Sequence, residues 1–217
     1  FLVNKNKYNE NSIIAEFFTE NNGKVSGIIF GATSTKIKNF LFIGNLFNIQ
    51  FNAKNPNRAG YFKVEIEKIF TPYYLEDKIK LNCILYSLNL IKILTVENQT
   101  NKKIFDQLYQ LFELFKSEDW IKKFIFWELE MIKLVGYDIN FLDYIDKNKM
   151  LNNETYVPTF DGSKKIPSFL LRKNSSKTTN EELKDGLKIV GDFLNKSVLI
   201  PNNINYPTSR NEFIKLI

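Results

Sequence analysis

Residues 8–38, YNENSIIAEFFTENNGKVSGIIFGATSTKIK, alternate polar turns with two apolar runs, and this stretch decides the fold of the N-terminal part. The runs at residues 13–18 and 25–30 are short and rich in isoleucine and phenylalanine, as β-strands are. Asn22-Gly23 lies between them and predicts a hairpin with a type I′ turn, because both central positions of that turn need a positive φ. The loop at residues 31–38 has little bulk and ends in two lysines, so it can approach a phosphate backbone.

The rest of residues 1–71 also has the pattern of strands. The apolar start predicts a short first strand, and two alternating runs near residues 47–52 and 62–67 predict strands with one wet face. The alternation places Phe51 and Phe62 in the core. Five short strands favour a small closed barrel of the oligonucleotide-binding (OB) type.

From Pro72 onward the apolar period becomes helical. Apolar stripes predict helices near residues 75–96, 104–115, 121–135 and 179–198, and a last helix near the C-terminus. Gly136 is predicted to end the third helix, and Asp161-Gly162 predicts a small hairpin. The predicted fold class is therefore α+β, with an OB-fold domain at residues 1–71 and a helical domain at residues 72–217 that carries an irregular insertion at about 137–177.

Composition narrows the chemistry. The 217 residues include one cysteine, Cys83, and no histidine, so an internal disulfide and a Cys/His zinc site within one chain are excluded. No apolar run reaches the roughly 18 residues that a membrane span needs, and no signal peptide is visible. A soluble protein of the reducing cytoplasm is expected.

Catalysis has little support in the residue pattern. Asp138, Asp143 and Asp146 lie close in sequence, but no nucleotide-binding loop or nucleophile motif accompanies them. Three such acids are more often a solvated loop. We expect no enzyme activity, no cofactor and no metal.

The charge suggests a polyanionic partner. The formal net charge is +6, and the basic excess lies at the two ends of the chain. The alternative is that these lysines only keep the surface soluble, in a chain rich in Lys, Asn, Ile and Phe.

Cations and aromatic rings occur together in the barrel segment, as they do in nucleic-acid-binding barrels. The candidate DNA-binding cations are Lys5, Lys7, Lys24, Lys36, Lys38, Lys54 and Arg58. The accompanying aromatic residues are Tyr8, Phe30, Phe40, Phe42, Phe51, Tyr61 and Phe62. Most of these rings are expected in the core, and Tyr8 and Tyr61 stay open between core and base stacking.

Several motifs then resemble, in order and spacing, the RecO family of bacterial DNA repair proteins. They are Tyr8-x-Glu10-x-Ser12, Phe18-Thr19-Glu20-x-x-Gly23, Gly31-Ala32-x-Ser34, Trp127-Glu128-Leu129, Leu134-x-Gly136-Tyr137, Leu187-x-x-x-Gly191-x-Phe193-Leu194, Pro201 and Arg210. The resemblance covers nearly the whole chain. Two departures stand out: some members carry a four-cysteine zinc site that this chain lacks, and the family's Gly-Ala-Arg-Ser-Lys loop has Thr33 and Thr35 here.

The resemblance implies a DNA-binding recombination mediator that acts at the nucleoid in the cytoplasm. It implies binding of single- and double-stranded DNA, annealing of complementary strands, and two protein partners, RecR and the acidic tail of single-stranded DNA-binding protein (SSB). Lys122 and Lys123 flank an apolar helix and are candidates for the SSB tail, although a solvated helix face is the plainer interpretation. The rival hypothesis is a scaffold whose OB fold docks a protein and barely touches DNA. A nuclease is disfavoured because no paired-carboxylate motif is present.

Overall fold

The structure is a computed structural model that describes residues 1–53, 60–137, 139, 156–159, 162–171 and 178–217. Its residues form two compact units. The first comprises Phe1–Phe112 with Ser209–Leu216, and the second is Glu113–Thr208 together with Ile217. Helical residues from 72 to 112 thus belong to the first unit, and the domain boundary at residue 71 stays a prediction.

The first unit is built on a five-stranded sheet. Its strands are β1 (Leu2–Lys7), β2 (Ser12–Thr19), β3 (Gly23–Phe30), β4 (Leu46–Asn52) and β5 (Tyr61–Lys68). The strand order is β1-β2-β3-β5-β4, with β3 and β5 parallel and the other neighbours antiparallel. The prediction of an α+β chain with an N-terminal five-stranded OB fold is confirmed.

The barrel is partly open, as OB barrels are. Among the described strands, β1 and β4 do not pair as a ladder. Two backbone hydrogen bonds join β1 to the residues just before β4: the amide of Leu2 donates to Asn45 O (3.0 Å), and the amide of Gly44 donates to Leu2 O (2.7 Å). The predicted full closure of the barrel is therefore reduced to this one contact.

The β2–β3 hairpin forms, but with a different turn. Thr19 pairs with Gly23, which leaves three residues in the loop. Gly23 has φ +64°, whereas Asn22 is not among the described residues with positive φ. The type I′ turn is therefore wrong, and the residue that needs a positive φ is Gly23, which follows the three-residue loop and pairs with Thr19.

The barrel core is apolar and is formed by the inward residues of all five strands and the β3–β4 connection. Its buried residues are Leu2, Ala15, Phe17, Ile29, Ala32, Leu41, Phe47 and Phe62. Phe62 confirms its prediction, but Phe51 is 53 % exposed. Phe51 pairs with Phe62 and has its ring 5.3 Å away, so the alternation is correct. The β4 strand nevertheless ends there, and the ring lies at the rim of the core.

Helices follow the strands. They are α1 (Thr35–Lys38), α2 (Lys78–Leu94), α3 (Lys102–Leu114), α4 (Trp120–Leu134), α5 (Ser168–Leu171), α6 (Asn180–Leu194) and α7 (Thr208–Lys215). Helix α2 buries seven of its residues, and Asp77 caps its start by accepting a hydrogen bond from the amide of Lys80 (3.0 Å). The short helix α1 lies where only a loop was expected.

The second unit contains α4, α5 and α6. Gly136 ends α4 with φ +101°, and the amide of Tyr137 donates back to Ile132 O (3.1 Å), as predicted for a glycine at this position. A capping box of Thr179 and Glu182 starts α6. A small antiparallel hairpin of β6 (Tyr156–Thr159) and β7 (Gly162–Lys165) confirms the hairpin predicted in the insertion.

Candidate nucleic-acid interface

The two ends of the barrel are covered differently. At one end, residues 95–102 lie against the β2–β3 hairpin, residues 19–26, and we call this contact the clasp. At the other end lie residues 7–12, 30–38 and 60–63, which we call the open end. Strand pairing brings these three segments together, because Lys7 pairs with Ile13, Ser12 with Phe30, and Ile28 with Tyr61.

Helix α1 presents two of the candidate cations at the open end. Ile37 packs against the barrel core, whereas Lys36 and Lys38 are exposed. The loop before α1 is tied to the β1–β2 turn, because the amide of Ala32 donates to Asn11 O (2.9 Å). Within the described residues neither lysine has a hydrogen bond or an ion pair. Both charges are available to a polyanion.

The two lysines of β1 differ. Lys7 is exposed at the end of the strand, whereas the Lys5 ammonium donates to Leu41 O and lies 5.9 Å from the centre of the Phe42 ring. Burial lowers the pKa of Lys5 from its ordinary value, because removing water disfavours the charged form. Lys5 thus has an internal partner, and Lys7 belongs with Lys36 and Lys38 at the open end.

Lys24 belongs to the clasp. Its ammonium donates to Lys92 O (2.8 Å) and Thr95 O (2.6 Å), which are carbonyls at the C-terminal end of α2. A helix ends with unpaired carbonyls and a partial negative charge. A cation at that end donates hydrogen bonds to the carbonyls and is attracted by the charge. The structure assigns Lys24 a helix-capping contact in the place where the sequence predicts a phosphate contact.

The clasp also fixes the backbone of the hairpin. The amide of Asn98 donates to Lys24 O (2.9 Å), and the Thr100 hydroxyl donates to Asn21 O (2.8 Å). At Gly23 a Cβ atom would stand 1.9 Å from Gln99 O, so no side chain fits there. Close approach of two backbones explains this glycine as much as its positive φ does.

A groove of about 520 Å³ lies beside the clasp. Its walls include the carboxylates of Glu20 and Glu97, the amide of Asn98 and the ring of Phe51. Among the described residues of its lining there is no lysine or arginine. The described part of this groove is therefore a poor site for a phosphate backbone, and the exposed lysines Lys7, Lys36 and Lys38 lie at the open end.

The open end also carries aromatic rings and one cation outside the predicted set. Tyr8 is 55 % exposed, Phe30 is 56 % exposed, and Tyr61 is half-buried. Lys63 is exposed and follows Tyr61 by two residues on β5, so the strand alternation places both on the same face. The alternation of residues 62–67 is the signal by which sequence patterning could have found Lys63.

Several predicted positions cannot be placed. Lys54 and Arg58 lie outside the described residues, as do Asp138, Asp143 and Asp146. In the part of the chain that the structure describes, no group of three or more acidic or cysteine side chains could hold a metal ion. No described helix is long and apolar enough to cross a membrane.

The two candidate lysines of α4 have partners within the second unit. The Lys123 ammonium lies 2.9 Å from Asp119 Oδ1 and 2.6 Å from the Ser117 hydroxyl. Hydrogen bonds from Ser117 and Lys123 lower the pKa of Asp119. The Lys122 ammonium lies 5.6 Å from the centre of the Phe169 ring. The ring beside Lys122 is buried, since Phe169 is 1 % exposed, and the charge of Lys123 is partly neutralised by Asp119.

Comparison with known proteins covers both parts of the chain. The family model described as Recombination protein O N terminal matches residues 1–70, and the model described as Recombination protein O C terminal matches residues 75–203. Among curated proteins, the DNA repair protein RecO of Rickettsia canadensis is 27 % identical over 229 residues, which cover 100 % of this chain and 93 % of that protein. The corresponding protein of Rhodospirillum centenum is 21 % identical and covers 98 % and 90 %, and that of Wolbachia pipientis wMel is 23 % identical and covers 99 % and 97 %.

Proposed function

Because this chain belongs to the RecO family of DNA repair proteins, we propose that it binds DNA as a recombination mediator at the nucleoid. In this proposal it anneals complementary strands and helps a recombinase replace SSB on single-stranded DNA. Base pairing supplies the free energy of annealing. The proposal therefore includes no catalytic step, no cofactor and no metal.

The observation that carries the proposal is the basic open end of the barrel. Lys7, Lys36, Lys38 and Lys63 lie in or beside its three segments, and Glu10 is the one acid there. Lysines that bind phosphates release condensed counterions, and this release provides sequence-independent affinity. Two strands held on one such surface meet at a raised effective concentration, which speeds their pairing.

Salt dependence tests the DNA site directly. For the double variant Lys36→Ala with Lys38→Ala, we expect weaker binding to every DNA sequence. The slope of log affinity against log salt should fall by about 1.4 to 1.8, since each lost phosphate contact removes about 0.7 to 0.9. Fluorescence anisotropy of a labelled oligonucleotide at several salt concentrations measures it.

The matched control removes two positive charges elsewhere. Lys116 and Lys215 are exposed lysines that pair with Glu113 and Glu212, respectively. The variant Lys116→Ala with Lys215→Ala has the same net charge as the test variant and should keep the wild-type slope. Equal slopes for wild type and test variant would remove α1 from the site.

An annealing assay tests the mediator role. We expect the wild-type chain to speed the pairing of complementary strands, both bare and coated with SSB, and the α1 double variant to be slower on both. A chain that binds DNA but leaves the rate of pairing unchanged would contradict the annealing function while leaving DNA binding intact.

The helical domain is the proposed site for the SSB tail, and RecR is proposed as a further partner. An acidic tail that ends in apolar residues needs a cation beside an apolar surface. Lys122 is the candidate cation, and the Phe169 ring beside it is buried, so the apolar part of the site has to come from other residues of the helical domain. Lys123 is the second candidate, and it pairs with Asp119. Binding of a tail peptide should weaken in the double variant Lys122→Ala with Lys123→Ala, and normal binding by that variant would exclude this surface.

A protein-docking scaffold is the second candidate. It is favoured by the internal contacts of Lys5 and Lys24, which leave fewer cations for DNA than the sequence suggests. Binding of single-stranded DNA measured against salt separates the two candidates. A scaffold would show weak binding with little salt dependence.

A further inference from the structure

An exposed aromatic pair lies on the outer face of the sheet at the open end. The rings of Phe30 and Tyr61 have centres 5.8 Å apart and are tilted by 53°. Ile28 pairs with Tyr61, and Phe30 follows Ile28 by two residues on the same face of β3. Ile14 pairs with Ile28 from the adjoining strand and is 38 % exposed. The result is an apolar strip across three strands, which is exposed at Ile14 and Phe30, half-buried at Tyr61 and buried at Ile28.

The strip is not part of the barrel core. Strand β3 turns Val25 and Ile29 toward the core, and Ile28 and Phe30 lie on the opposite face. At the clasp that opposite face is occupied, because Lys24 donates to the end of α2 and Ser26 bonds to Glu97. At the open end Phe30 remains 56 % exposed. An exposed aromatic ring at the edge of an apolar strip is a candidate for a binding surface.

The surroundings of the strip fit a nucleic acid. Lys63 follows Tyr61 on β5, and Asn6 pairs with Ile14 on β1. Glu65 is the next exposed residue on β5 beyond Lys63. The lysines of α1 belong to the same end of the barrel. Rings that carry bases next to cations that carry phosphates are the usual surface for a single strand, and base-on-ring stacking tolerates any sequence.

We propose that Phe30 and Tyr61 form a base-stacking platform that selects single-stranded over double-stranded nucleic acid. The reason for the selection is that a duplex buries the faces of its bases, so only an unpaired strand can place a base on these rings. The platform rests on the proposed DNA-binding function and adds the strand preference to it. The lysines contribute affinity for both single- and double-stranded DNA, and the rings add affinity for the single strand alone.

The experiment compares Phe30→Ala with wild type on two probes of equal length, an oligo(dT) and a duplex. Loss of a stacking ring should weaken binding to the single strand by about 5- to 160-fold, because each stacked base contributes about 1 to 3 kcal/mol. Affinity for the duplex should stay within about twofold. The salt slope for the single strand should not change, because stacking releases no counterions.

Three further variants make the result specific. Phe30→Trp keeps an aromatic face and should restore single-strand binding. Phe30→Leu keeps apolar bulk without that face and should not. Tyr73→Ala removes another exposed ring of the first unit, 78 % exposed and outside the open end, and should behave as wild type. Thermal unfolding of each variant checks that it is folded.

The outcomes separate the platform from the function on which it rests. If wild type binds both probes and Phe30→Ala keeps its single-strand affinity or loses both affinities equally, the platform is overturned and DNA binding stands. Rescue by Phe30→Leu as good as by Phe30→Trp would also overturn it, and would point to an apolar protein partner. If wild type binds neither probe, both proposals fall.

Discussion

The two ends of strand β3 show how one strand face can serve two purposes. At its start, Lys24 donates to two carbonyls at the end of α2. At its other end, on the same face, Phe30 is more than half exposed. A residue type that usually faces water has an internal contact here, and a residue type that is usually buried faces water. What decides the role of each is the segment that lies against it.

That segment comes from far along the chain. Residues 95–102 lie against the start of β3 and hydrogen-bond to the hairpin, so we expect the clasp to contribute stability. Phe30 stays more than half exposed, and among the described residues the lysines of α1 have no hydrogen bond or ion pair, so the open end is the proposed binding site. The variants below separate these two roles, and each pairs a position in the clasp with a similar position at the open end.

The largest effect is expected at Gly23. Gly23→Ala would place a Cβ atom 1.9 Å from Gln99 O at φ +64°, so the two backbones must separate. We expect a loss of about 3 kcal/mol or more in the free energy of unfolding. Gly31 at the open end has φ +66° but open space around it, so Gly31→Ala should lose only about 1 to 2 kcal/mol. Urea denaturation followed by circular dichroism measures both, and equal losses would show that the clasp does not hold the turn.

An intermediate effect is expected at Lys24. Lys24→Met keeps the length of the side chain but removes both hydrogen bonds to the end of α2, and we expect a loss of about 2 kcal/mol in stability. Lys36→Met, its counterpart at the open end, should change stability by less than about 0.5 kcal/mol. The DNA salt slope should respond in the opposite order. A Lys24→Met variant with full stability and a smaller salt slope would make Lys24 a phosphate contact after all.

The smallest effect is expected at Thr100. Thr100→Val removes an exposed hydrogen bond to Asn21 O, and we expect a loss of about 0.5 kcal/mol. Thr33 at the open end makes a comparable exposed bond to Asn11 Oδ1 (3.0 Å), and Thr33→Val should lose about as much. The same denaturation measurement applies. A loss at Thr100 that approached that of Gly23→Ala would mean that the clasp depends on its hydroxyl contacts more than on backbone packing.

The fold was largely predictable from local patterns. The alternation of residues 62–67 and the apolar runs on either side of Asn22 specify strands through their own neighbours, and Gly136 ends a helix for a local reason. The predictions for Phe51 and for the turn at Gly23 failed, because each residue lies at the end of a strand, where contacts with other segments override the local pattern. Phe51 has the correct parity for the core but lies where the strand ends, and the turn at Gly23 is set by the backbone of Gln99 as well as by its own sequence.

The candidate site was less predictable. The sequence shows which segments carry lysines, but it does not show which of those lysines contact segments that are distant in the chain. Lysine content drew attention to the barrel, where Lys36 and Lys38 are exposed, and their contact with DNA stays a prediction. The sequence around Lys24 could not predict its contact with the end of α2, because that segment lies about seventy residues later in the chain. Lys63 was missed because it is one charge in an alternating strand, and only its place beside Tyr61 makes it part of the proposed site.

The clasp has a consequence for the order of folding. The β2–β3 hairpin joins residues that are near in sequence, whereas the clasp joins residues 71 to 82 positions apart, so its loop closure costs more entropy and should come later. Contacts made after the transition state slow unfolding without speeding folding. We therefore expect stopped-flow measurements of Gly23→Ala to show faster unfolding with a nearly unchanged folding rate. The clasp would then set how long the barrel survives between unfolding events, while the open end remains available for binding throughout that time.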